Sequence, residues 1–454
     1  MAYFATGTAG NDTLNQAGDT GPGTIVGLAG DDCIFTGTGL ATVTGDSGND
    51  TIVLQTGNTG TVSGGTENDR IFDNGTNVGS LLVLAGDGSN DVISLLNSTA
   101  NQTVVGGNDS NDGTDNIATG TGADLIFGNG GEDFMTPASG NDTAIGGFGI
   151  DHISDTGGSN LIFGNQGDDL LSVGGPGTST AYGGLGDDIV ASNQAGLLFG
   201  NEGADQLLVL AGATVVGGDN SADGDDFLSG TNSNLAFGNG GNDQFAFSGT
   251  GNTLIGGFGN DRITGGPLAF GNEGNDTIQA TNITANTVFG GLGNDSIVAI
   301  QGRDTLQGNE GNDTIRGSFL TIDIDTISGG AGNDVFLYGN EDEDGNNAAG
   351  GGPVEFITDV EFAADKFDTA TNVSFAANMG AGTGADLNAS ANNAIAAAYA
   401  LAGGGAAVVA AQFTFGGRAY LAIDQLTLGT FLDTDDLLID ITGFTGTIGN
   451  SNFI

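Results

Sequence analysis

Eighteen aspartates recur at one position of a motif that runs along most of this 454-residue chain. They are Asp12, Asp32, Asp50, Asp69, Asp91, Asp115, Asp133, Asp151, Asp169, Asp188, Asp205, Asp226, Asp243, Asp261, Asp276, Asp295, Asp313 and Asp334. From first to last the mean step is about 19 residues. Stacked in register, such a row sets carboxylates about 5 Å apart, and unscreened they repel. A hard divalent cation with oxygen ligands relieves that repulsion. Softer ligands are nearly absent, since the chain has one Cys (Cys33) and one His (His152). That excludes an internal disulfide and all but excludes a Cys/His zinc site. Oxygen donors select Ca²⁺ or Mg²⁺ over transition metals, and flexible, backbone-rich cages favour Ca²⁺.

The elements that must hold this row are legible around it. The motif is Gly-Gly/Asn-x-Gly-x-Asp-x-apolar, as in Gly146-Gly147-Phe148-Gly149-Ile150-Asp151-His152-Ile153. Gly256–Ile263 and Gly290–Ile297 repeat it, while Gly164–Leu171, Gly271–Ile278 and Gly308–Ile315 carry Asn second. Two residues after every one of the eighteen aspartates is an apolar residue, from Leu14 and Ile34 to Ile315 and Phe336. A second apolar residue stands two before the next glycine pair, among them Ile126, Ala144, Ile162, Ala181, Leu198 and Val215. Each step therefore reads turn, short strand, turn, short strand, with one inward side chain per strand, as a period of two demands. Such strands cannot make a core alone. Stacked coil on coil, they give two parallel sheets across a thin apolar seam. The predicted class is all-β, a parallel β-roll or β-solenoid of about eighteen coils followed by a small mixed α+β C-terminal domain.

Composition narrows the function. Gly is 88 of 454 residues without a triplet period, so the chain is not collagen-like. Asp and Glu number 56 against 6 Lys and Arg, a net charge of −50, which disfavours nucleic acid and anionic membrane as partners. A hydrophobic content of 37% is too high for a disordered acidic tail. No apolar run is long enough to span a membrane. Met1 to Gly7 lacks the basic and apolar segments of a cleavable signal peptide.

Over about residues 7 to 338 the chain resembles the RTX calcium-binding proteins, whose Gly-Gly-x-Gly-x-Asp-x-apolar-x nonapeptide builds a parallel β-roll. The resemblance implies multiple Ca²⁺ ions. Each would lie between consecutive turns, taking an Asp from each and carbonyls from the glycine-rich loops. RTX rolls usually carry the motif on both edges, and here the second edge is decayed. It keeps Asp124, Asp142, Asp304 and Asp325, but elsewhere holds residues such as Asn160, Ser179, Asn234, Asn252 and Asn286. Eighteen turns offer at most 17 gaps, so divalent ions would supply up to +34 against −50. Folding is then expected to be coupled to metal. Extracellular calcium modules bind at about 10⁻⁴ to 10⁻³ M, which points to a calcium-rich medium. Glu67 and Ser89 replace the fourth-position glycine, and insertions at 108–113 and 219–224 add Asp109, Asp112 and Asp223.

Other candidate chemistry is thin. His152 and Cys33 follow motif aspartates and should point outward. Phe127, Phe163, Phe199, Phe237, Phe270 and Phe289 precede glycine pairs. They read equally as lateral packing within a sheet or as a contact face. The domain organisation expected is a roll over 1–338, an acidic glycine-rich linker over 339–352, and a C-terminal capping, secretion or assembly domain over 353–454. In the last, 356–362 reads as strand and turn and Leu387 to Leu401 as helix. Val408 to Phe415 and Arg418 to Asp424 read as a hairpin about Gly416-Gly417, and Leu437 to Ile441 as a final strand. The pieces FTFGGRAYLAIDQ and DDLLIDITG resemble the C-terminal domain of secreted cyanobacterial surface proteins. The RTX resemblance implies export through a type I secretion machinery. With no catalytic domain expected, the chain reads as a non-enzyme: an extracellular or cell-surface structural protein that folds on Ca²⁺. Its expected partners are other copies of itself, end to end in a fibre or surface layer. The alternative is a soluble, monomeric secreted calcium-binding or adhesion accessory protein.

Overall fold

The computed structural model describes residues 3–74, 79–86, 89–108, 110, 112–221, 223–317, 324–338, 355–369, 371–403, 408–425, 431 and 436–454. The expected linker over 339–352 and Asp109 lie outside them. The chain is a parallel β-solenoid of about 17 turns with only 4% helix. It divides into two compact units, Met1–Gly230 and Thr231–Ile454.

In the first unit, alternate strands join alternate sheets. Leu125–Gly130, Thr143–Phe148, Leu161–Gln166, Ser179–Leu185 and Gly196–Glu202 pair in parallel, in register, each with the next. Phe134–Thr136, His152–Asp155, Leu170–Val173 and Ile189–Ser192 do the same in the facing sheet. Strict register stacks like positions: Ile126 on Ala144, Ile162, Ala181 and Leu198 in one sheet, Met135 on Ile153, Leu171 and Val190 in the other. All of these are fully or almost fully buried. Alternation of Ile and Ala keeps the seam thin. Each large aliphatic contributes roughly 1.5–3 kcal/mol by leaving water.

The second unit repeats the pattern from Leu235–Gly240 to Val335–Tyr338. The stacking then continues. Glu355–Ile357 pairs in parallel with Thr326–Ala331, and Lys366–Thr369 with Val335–Tyr338. Leu437–Asp440 adds to Glu355–Ile357, and the hairpin Val409–Phe415/Arg418–Asp424 adds antiparallel beyond it. The hairpin is thus as predicted. So is helix α1, Leu387–Leu401, where Asp386 caps the first turn by accepting from the Ala389 N–H at 2.7 Å. Ala391, Ala394, Ile395 and Ala398, spaced three and four apart, bury against Val409, Ala411 and Phe413. Among the described residues no helix is long and apolar enough to cross a membrane.

The aromatic residues pack laterally. The rings of Phe163, Tyr182 and Phe199 stack at 5.1 and 4.8 Å, and Phe270 on Phe289 at 5.0 Å. His152, half-buried on the outer face, lies against Phe134 of the neighbouring strand at 4.7 Å. Cys33 is a half-buried free thiol.

Candidate metal centre

The turns that carry the aspartates are fixed by backbone geometry. The second motif position is left-handed whether it is Gly147 (φ 130°) or Asn165 (φ 82°), which explains why the sequence uses either. The fourth position is left-handed and crowded as well: a Cβ on Gly149 would lie 1.8 Å from the Gly131 carbonyl oxygen of the preceding coil. Glu67, in that position, adopts φ 73°.

These turns deliver the motif aspartates to a buried file in each unit. Seventeen of the eighteen are at most 2% exposed, and Asp12 is half-buried. Oδ1 of sixteen of them, Asp32 through Asp226 and Asp261 through Asp334, accepts the backbone N–H of the motif aspartate one coil earlier, at 2.7–2.9 Å. The bonds run without a break from Asp12 through Asp226 in one unit and from Asp243 through Asp334 in the other. The other oxygen has a different fate. Oδ2 of Asp32, Asp50, Asp69, Asp115, Asp133, Asp151, Asp169, Asp188, Asp205, Asp276, Asp295 and Asp313 is buried with no hydrogen-bond partner. It points into the glycine turn. A Cβ on Gly146 would lie 2.2 Å from Asp151 Oδ2 and 2.8 Å from the carbonyl oxygen of Gly164 in the next coil. Carboxylate and carbonyl oxygens therefore converge on a cradle that only glycine leaves open.

Such a cradle fits a hard cation. A buried carboxylate oxygen without a donor is costly unless it is protonated or coordinated. Burial, with the neighbouring carboxylates adding to it, pushes Asp69, Asp151 and Asp188 up to about 8. Burial likewise raises Asp133 and Asp205 to about 7 and Asp50, Asp169, Asp295 and Asp313 to about 6. Among the described residues no three His, Cys, Asp or Glu side chains group as a metal site on their own. Backbone carbonyls must supply the rest of a cation's shell, and the glycine turns present them.

The second edge follows the same plan with fewer charges. Asp124, Asp142, Asp304 and Asp325 are each at most 2% exposed. The Asp124 N–H donates to Asp142 at 2.7 Å, and Asp304 to Asp325 at 2.8 Å. Asn and Ser occupy other rungs: Asp142 donates to Asn160 Oδ1, Asn160 to Ser179 Oγ, and Asn234 to Asn252 Oδ1. The neutral substitutes keep the hydrogen bond and drop the charge.

Three features went unread in the sequence. Asp365 is a further rung, taking the Asp334 N–H at 3.2 Å, with Phe367 buried two residues later. Its Oδ2 accepts from the Glu361 N–H at 2.6 Å, so both of its oxygens are occupied. Asp155, 2% exposed, sits beside Asp142 and is raised to about 7, chiefly by burial. An outer ladder also runs along the residue before each motif aspartate, as when the N–H of Asn260 donates to Asn242, Asn275 to Asn260 and Asn294 to Asn275. Asn or Asp stands there in fourteen of the eighteen copies, which was the available signal.

The model of the RTX calcium-binding nonapeptide repeat matches four copies, at residues 17–52, 109–144, 145–175 and 172–194. The chain therefore carries RTX calcium-binding nonapeptide repeats. RTX nonapeptides bind Ca²⁺ at multiple sites, which identifies the ion the cradles suit. The model of the peptidase M10 serralysin C terminal matches residues 205–398, and that domain is non-catalytic. No curated protein matches this chain.

Proposed function

We propose that this is a secreted structural protein that Ca²⁺ folds and that assembles head-to-tail outside the cell into a fibre or surface layer. The observation that carries the calcium reading is the unbroken file of buried aspartates within each unit. One oxygen ties each to the coil before it, and the other faces a glycine cradle. In this reading Asp32 through Asp334 hold ions between consecutive turns, with Asp124, Asp142, Asp304 and Asp325 serving the second edge. Asp12, half-buried, completes the row.

Residues 1–338 form the calcium-binding roll and 353–454 the cap, 339–352 linking them. Coil pairing over 355–369, continuous with the roll, and the covering hairpin support the capping role. The serralysin-type match supports export by a type I machinery. The chain is proposed not to be an enzyme, because both matched regions are non-catalytic in kind.

Assembly rests on polarity. A parallel stack has two different ends, so contacts between copies are heterologous and non-closing. Unpaired strand edges template such contacts. One observation favours the soluble monomer instead. Ile454 N–H bonds to Phe367 O at 3.0 Å, and the hairpin sheet extends past Glu355–Ile357, so that end of the stack is covered. Electron microscopy of purified protein with calcium and then with chelator separates the readings. Filaments that vanish on chelation are expected, whereas single particles at all concentrations support the monomer.

A further inference from the structure

Two coils depart from the repeat in the same way. Where the regular turn has one residue between its glycine pair and the fourth-position glycine, these have five, Asn108–Asp112 and Asp219–Asp223. Both end in aspartate. The structure sets Asp223 against the preceding coil of the aspartate file. Asp223 Oδ1 accepts the Gly203 N–H of the preceding coil at 3.1 Å, and its Oδ2 accepts the Asp219 N–H at 3.1 Å. In regular coils the equivalent glycine donates to a backbone carbonyl of the next coil, as Gly186 does to Glu202 and Gly167 to Leu185. The insertion thus swaps a neutral carbonyl for a carboxylate.

That carboxylate borders a gap which already holds an orphan. Asp205, in the same turn as Gly203, is 1% exposed with Oδ2 unpartnered, and that oxygen lies 2.0 Å from where a Gly200 Cβ would be. Asp223 raises it further. At the other insertion, Asp112 lies against Gly107 and acts in the same way on Asp115 and Asp133. Asp115 and Asp133 are fully buried, each with Oδ2 unpartnered.

We propose that the two inserted loops create calcium sites distinct from the regular rungs, in which a third carboxylate makes the ion bind tighter and enter first. Asp223 stands at the rim of its cradle, and its added charge does the work. Ligand charge count tunes calcium affinity by decades, so a tightening of roughly tenfold is expected. The inference rests on the calcium reading of the cradles. Calorimetric titration of the metal-free full chain with CaCl₂ tests it. The natural chain should show a tight class of two ions ahead of the rest. Asp112→Asn with Asp223→Asn should abolish that class, because Asn still accepts from Gly203 but carries no charge. Asp169→Asn, on a regular rung, should lower the total and leave the tight class intact. If the double variant forms no sheet in saturating calcium, the single variants decide, each expected to lose one tight ion. A single uniform class, or a tight class that survives in the variants, overturns the proposal. No calcium binding at all overturns the cradle reading beneath it.

Discussion

At the scale of the residue, each motif aspartate does two separable things: Oδ1 accepts from a neighbouring coil, and the carboxylate carries charge into a buried cradle. Asp151→Asn keeps the acceptor for the Asp133 N–H and removes the charge. It should fold in saturating calcium yet need more calcium at the midpoint and bind about one or two fewer ions, read by circular dichroism and calorimetry. Asp151→Ala also leaves that buried N–H without a partner, costing about 1–3 kcal/mol more in urea unfolding. The sign of the pH dependence follows from burial. Asp69, Asp151 and Asp188 titrate near 8 in the fold against 3.8 in the free chain. The metal-free fold is therefore favoured at low pH, and that stability is fully present below about 4 and lost progressively as pH rises from there to about 8. Calcium shows the reverse, because its ligands must be deprotonated. Metal-free protein should gain sheet on acidification from pH 8 to 5, while calcium affinity falls over the same range. The row of acids was plain in the sequence because it repeats eighteen times at one motif position. Asp155 was not, because a lone acid on the weaker edge has no period to announce it.

At the scale of the element, the coil is a turn that glycine permits and two strands that register forces. Gly149→Ala should destabilise by more than about 1 kcal/mol, since φ is 114° and the Cβ would strike the Gly131 carbonyl. Ile153→Ala empties a site stacked between Met135 and Leu171 and should cost about 2–5 kcal/mol in denaturant unfolding with calcium present. The helix over Leu387–Leu401 and the hairpin about Gly416-Gly417 were legible, because an Ala-rich run and a Gly-Gly turn are local signals. The coil made by 355–369 was legible only as strand and turn. It has no glycine pair. Asp359 replaces that geometry from outside, its carboxylate accepting from the N–H groups of Gly329 and Gly330 at 3.1 and 3.0 Å. Membership of the stack there depends on a tertiary contact that no local pattern encodes.

At the scale of the whole molecule, charge decides. A formal −50 is spread along a fold whose seam is only one side chain deep from each sheet. Self-repulsion opposes the compact state, and divalent ions held by the aspartates would offset it. In the proposed reading the stability of this repeat chain is bound up with its metal, unlike that of a globular domain with a thick core. The most direct test is far-UV circular dichroism at pH 8 after exhaustive dialysis against EGTA, followed by addition of calcium. The account predicts a coil spectrum that returns to sheet as calcium is restored. A spectrum that stays rich in sheet without divalent ions would contradict it.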